Sequence, residues 1–140
     1  MSTRANIIIK DSYCKLIFYR HSDGYPEGIL PSLEKLIDWI KKGLIRNNVS
    51  QGAGWLVLLG AMEYKTLKPE SFKCDERTEY GSNLDYEIKG EPTGWKVGAF
   101  EPTTEVHGDI KYLYIVDFEK LTIKTISNRN DFQNKWETCI

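Results

Sequence analysis

Residues 111–117 place the strongest constraint on what this chain can fold into. In an extended backbone Tyr112, Tyr114 and Val116 point one way while Leu113 and Ile115 point the other. Both faces are apolar, so the segment needs cover on each side and belongs in the interior of a sheet. The turn residues 117–120 follow. Leu121 and Ile123 then alternate with Thr122 and Lys124, the pattern of a half-buried partner strand.

The N-terminal part of the chain repeats this theme. Ile7-Ile8-Ile9 is a β-branched run, Asp11-Ser12 is a turn signal, and Leu16, Ile17, Phe18 and Tyr19 form a second run; together they predict a β-hairpin. Leu33, Leu36, Ile37 and Ile40 then recur at i, i+3, i+4 and i+7, which predicts an amphipathic helix over residues 32–42. Ser32 is its expected cap, Glu34 suits its first turn, Lys41 and Lys42 its negative end, and Gly43 its stop.

Residues 50–64 read as a second helix, capped by Ser50. With Trp55, Leu56, Leu58, Leu59 and Met62 it is apolar almost all round and is expected to be buried. Gly52, Gly54 and Gly60 each cost a helix about 1 kcal/mol relative to Ala, so a buried strand over 55–59 is the competing assignment. Residues 65–81 read as a polar loop. Strands are expected at 84–88 and 95–100, separated by the turn residues Gly90-Glu91-Pro92-Thr93-Gly94, and residues 102–109 as a loop. Phe132 and Trp136, four apart, suit a short docked helix. Hairpins without regular βαβ alternation give an α+β class: a mostly antiparallel sheet with one or two helices packed on one face. The 140 residues fit a single globular domain over 1–140.

Charge and cysteine usage narrow the function. Lys plus Arg is 19 against 20 Asp plus Glu, a balance that argues against a generally basic nucleic-acid binder. Cys14, Cys74 and Cys139 are odd in number, widely spaced and form no C-x-x-C, so neither a disulfide framework nor a zinc site is expected and a reducing cytoplasm is the simplest setting. No apolar run has the length of a membrane span or a signal peptide.

The densest cluster of reactive side chains is residues 19–28, where Arg20, His21, Asp23, Tyr25 and Glu27 stand among Gly24 and Gly28. A loop of this composition ahead of a helix suits a phosphate or carboxylate, because helix N-termini expose free N–H groups and partial positive charge. Against that, Pro26 and Pro31 remove donors and no phosphate-binding or dinucleotide glycine motif is present. The alternative is a rigid turn in which Asp23 bonds its own backbone. His21, Asp23 and Glu27, with His107 and Asp109 as a distant second pair, have the donor types of a metal site, and each His with its Asp those of an acid–base pair. They lack any recognised ligand spacing, so neither a metal nor another cofactor is expected. Trp95, just past the turn residues, is a candidate binding anchor. Glu87, Glu91, Glu101, Glu105 and Asp109, with His107 among them in sequence, fall in or near the same region and read either as a solvated surface or as an acidic face for a basic host surface.

Ser2-Thr3-Arg4-Ala5, the segment Tyr19-Arg20-His21-Ser22-Asp23-Gly24-Tyr25-Pro26 and the late Lys111-Tyr112-Leu113-Tyr114-Ile115-Val116-Asp117 resemble a family of small tailed-phage and prophage proteins. Those proteins open with S-T-R and carry a His-x-Asp-Gly-Tyr-Pro segment; Ser22 stands here where Trp is expected. The resemblance implies a phage setting in a host cytoplasm and carries no catalytic residue over. The expectation is a non-enzymatic accessory protein that binds, and inhibits, a host protein such as a defence component. The alternatives are a nucleotide- or phosphate-binding or cleaving protein using loop 20–28, and a structural or oligomerisation component. Sequence leaves the oligomeric state open.

Overall fold

The computed structural model describes residues 2–66 and 91–127. The expected strand at 84–88, the docked helix around Phe132 and Trp136, and nearly all of the loop at 65–81 lie outside the described residues. The elements are β1 (Ala5–Lys10), β2 (Lys15–Arg20), α1 (Pro26–Lys41), α2 (Val49–Tyr64), β3 (Glu101–Thr103), β4 (Tyr112–Asp117) and β5 (Thr122–Ile126). They build an α+β fold around a sheet of order β3-β2-β1-β4-β5.

Three of the pairings, β1–β2, β2–β3 and β4–β5, are antiparallel. β1 and β4 run parallel, with Ile7 opposite Tyr114 and Ile9 opposite Val116. The strand expected to be interior is hydrogen-bonded on both sides, but the middle of the sheet belongs to β1. The tip of the β1–β2 hairpin is fixed by Asp11, whose carboxylate accepts the N–H groups of Tyr13 and Cys14.

The alternation of β4 divides the core as its sequence requires. On the helix face Ile7, Ile9, Phe18, Tyr114 and Val116 pack with Leu33, Leu36 and Ile40 of α1 and Leu56 and Leu59 of α2. On the other face Ile8, Ile17, Tyr19, Leu113, Ile115 and Ile126 pack with Ile110 and the half-buried Val106. Each fully buried aliphatic side chain stabilises the fold by about 1.5–3 kcal/mol.

Helix α1 begins at Pro26, not at Ser32, and Tyr25 sits at its cap without a side-chain bond. Proline in the first turn costs nothing, because that position has no intrahelical partner for an N–H. Pro31 removes one rung further in, an expense outweighed by burying Ile29, Leu33, Leu36, Ile37 and Ile40 on one stripe. Ser32, not used as a cap, donates its hydroxyl to Glu63 across the helix pair (3.1 Å). At the far end Gly43, with φ 72, takes the stop position as expected.

Residues 49–64 form a helix rather than a strand. Its cap is Asn48, whose side chain accepts Gln51 N–H, instead of Ser50. Two of its glycines are spacers. A Cβ on Gly52 would lie 2.5 Å from the Phe118 ring, and one on Gly60 would lie 2.9 Å from the backbone nitrogens of Ala99 and Phe100. The helix is not buried all round: Trp55, Leu58 and Met62 are 38%, 40% and 56% exposed.

Residues 95–100, expected as a strand, differ from that expectation. They make no ladder, and the edge strand is Glu101–Thr103 instead, two of whose residues fall in the stretch expected to be a loop. Pro102 on this short edge strand removes a donor and blunts the edge against further pairing.

Candidate binding surface

The last residues of β2 send their side chains to opposite faces, and both are anchored. Arg20 is 1% exposed. Its Nε donates to Ser22 O (2.8 Å), its Nη2 to Gly28 O (3.3 Å), and Nη1 and Nη2 grip the Glu63 carboxylate in a two-pronged pair (3.2 and 2.5 Å). The guanidinium also lies 5.2 Å from the Phe100 ring and 5.9 Å from that of Tyr64. It therefore ties loop 20–28 to α2 and is unavailable to a ligand.

The turn itself is braced from three sides. Asp23 takes the left-handed conformation at φ 56. Gly24 N–H donates to Thr3 O (2.9 Å), and the buried Tyr114 hydroxyl donates to Gly24 O (2.7 Å). Gly28 allows the helix start to close on this turn, since a Cβ there would stand 2.4 Å from Asp23 O. At the helix N-terminus the N–H groups of Gly28 and Ile29 both donate to Tyr25 O, which leaves little free amide for an anion. Tyr25 and Glu27 are exposed on the first turn.

On the other face Tyr19 gathers both histidines. His107 stacks on its ring at 3.9 Å and His21 meets it edge-on at 4.5 Å. The Tyr19 hydroxyl donates to Asp109 (2.9 Å), which also faces Arg4 at 3.5 Å. Burial, reinforced by the bond to Asp109, pushes the Tyr19 phenol up to about 12, so it stays protonated at neutral pH. His21 Nε2 lies 3.0 Å from Glu101 Oε2, both side chains being exposed. His107 is held by its N–H donating to the buried Asn6 side chain (2.8 Å) and by Thr103 Oγ1 at 3.1 Å from its Nε2. Glu105 is exposed in the loop beyond β3.

The two candidate regions named from sequence thus come together. A cavity of about 560 Å³ has His21, Ser22, Tyr64, Trp95, Lys96 and Glu101 in its wall, with Arg4 at its rim. A second, of about 470 Å³, shares Ser22, Tyr64, Trp95 and Lys96 and adds Asp23, Thr66 and Thr93. The two adjoin along the residues they share. Segment 95–98 is positioned by close backbone approach to α2, where Ala99 N–H donates to Gly60 O (3.2 Å) and a Cβ on Gly98 would lie 3.0 Å from Ala61 N. Trp95 is fully exposed. Sequence reasoning singled out Trp95 but missed Arg4, Tyr64 and Lys96, which lie far from loop 20–28 along the chain. No three His, Cys, Asp or Glu side chains among the described residues are placed to hold a metal ion.

No family model, no characterised protein and no solved structure matches this chain. Among the described residues no helix is long and apolar enough to cross a membrane.

Proposed function

We propose that the protein is a phage-type accessory protein that binds, and thereby inhibits, a host protein in the host cytoplasm. The observation that carries this reading is Trp95. A fully exposed tryptophan flanked by the exposed Val97 sits on a glycine-fitted support beside loop 20–28. Interfaces draw much of their energy from aromatic anchors, and an exposed indole otherwise carries only a solubility cost. Arg20 is consumed by Glu63, and His107 is held by Thr103 and Asn6, so neither is free for a ligand. Glu101 and His21 supply polar rim contacts around the indole.

Tagged protein incubated with host lysate should retain one partner in stoichiometric amount, and Trp95→Ala should release it while Trp55→Ala, on the α2 face, should not. Loss of capture in neither variant, or no stoichiometric partner at high protein concentration, contradicts the reading.

A further inference from the structure

The groove beside Trp95 has a polarity that a flat protein-docking face does not need. We infer that it binds a small ligand, a ribonucleoside phosphate. At the larger-cavity end the wall holds Arg4, together with Lys96, which lines both cavities, and Glu101, the carboxylate in that wall, is already engaged by His21 at 3.0 Å. Arg4 keeps 46% of its side chain exposed despite facing Asp109 at 3.5 Å, and Lys96 Nζ hangs 5.9 Å from the Tyr64 ring. This end suits a phosphate, which binds point cations and guanidinium groups alike.

At the smaller-cavity end the hydroxyl-bearing Thr66 and Thr93 and the carboxylate of Asp23 join Ser22, which lines both cavities. A carboxylate accepts two hydrogen bonds side by side, which is how an acidic residue engages the hydroxyls of a ribose. Thr93 Oγ1 already donates to Lys65 O (3.0 Å) and fixes that wall, and the left-handed turn fixes Asp23. The Trp95 indole lines both cavities, exposed and free to stack on a base. Volumes of about 470 and 560 Å³ for the two lobes fall in the range of small-molecule sites, roughly 300–1,000 Å³. The cations come from the N-terminal segment and from residue 96, so the site does not draw on the sealed Arg20.

Calorimetric titration of the full chain with AMP, GMP, CMP and UMP tests this, with adenosine and inorganic phosphate as part-ligands. At least one nucleotide should saturate with Kd below about 1 mM and bind more tightly than either part-ligand. Trp95→Ala should weaken it about tenfold or more. Lys96→Glu should weaken the nucleotide and phosphate but not adenosine, and Asp23→Asn should narrow the preference for the ribonucleotide over its 2′-deoxy form. Trp55→Ala should bind as the parent does. Silence from all four nucleotides, phosphate binding as tightly as the best nucleotide, or affinities unchanged in both Trp95→Ala and Lys96→Glu would overturn the inference. No partner protein enters these titrations and no nucleotide enters the capture experiment, so either result can fail without the other.

Discussion

The Arg20 guanidinium and the Glu63 carboxylate form a two-pronged ion pair between the end of β2 and the last turn of α2. It joins segments 43 residues apart in sequence. Through its remaining donors Arg20 also holds Ser22 O and Gly28 O, so one side chain sets where loop 20–28 lies relative to the helices.

Removing Glu63 leaves a guanidinium buried without its counter-charge. Glu63→Ala should therefore destabilise the protein by about 3 kcal/mol, the lower end for a broken buried pair because the carboxylate is partly exposed. Replacing both partners, Arg20→Met with Glu63→Leu, should cost less than Glu63→Ala alone. Urea unfolding of the two variants against the parent measures the difference.

The glycines of α2 make a paired prediction. Gly60→Ala should cost about 1–3 kcal/mol, because the new methyl meets the backbone of Ala99 and Phe100. Gly54→Ala meets nothing within 4 Å and should gain up to about 1 kcal/mol from helix propensity alone. Thermal melts that moved in the same direction for both would show that residues 98–100 do not lie against the helix.

Alkaline stability should depend on Tyr19. Its phenol titrates near 12 when folded against about 10 when unfolded, because burial and Asp109 disfavour the phenolate. Below pH 10 this contribution is present in full. Between 10 and 12 the unfolded chain ionises first and the contribution is lost as pH rises. Tyr19→Phe should flatten that decline by on the order of 2 kcal/mol, without abolishing it, since burial also raises Tyr64 and Tyr114. Denaturant midpoints from pH 8 to 12 give the comparison.

Sequence pattern carried the layers of this fold further than it carried their boundaries. The alternation in residues 112–116 correctly assigned Tyr114 and Val116 to one face and Leu113 and Ile115 to the other, because strand geometry leaves no freedom there. The start of α1 was hidden because Pro26 and Pro31 read as loop residues, whereas one fits the first turn and burial compensates for the other. The glycines in α2 read as helix breakers because propensity does not register the Phe118 ring and the 98–100 backbone that they admit. In the candidate surface, sequence named loop 20–28 and Trp95 as separate regions. Their meeting depends on long-range packing through Gly60 and Gly98, and Arg20 looked available because nothing local points to Glu63.

Photo-crosslinking from the surface itself is the most direct test of the account. A benzoylphenylalanine placed at position 95, and separately at position 58 on the exposed side of α2, is activated in host cells expressing each protein. The account predicts one dominant host-protein adduct from position 95 and none from position 58. No adduct from position 95, or the same adduct in equal yield from both positions, would contradict it.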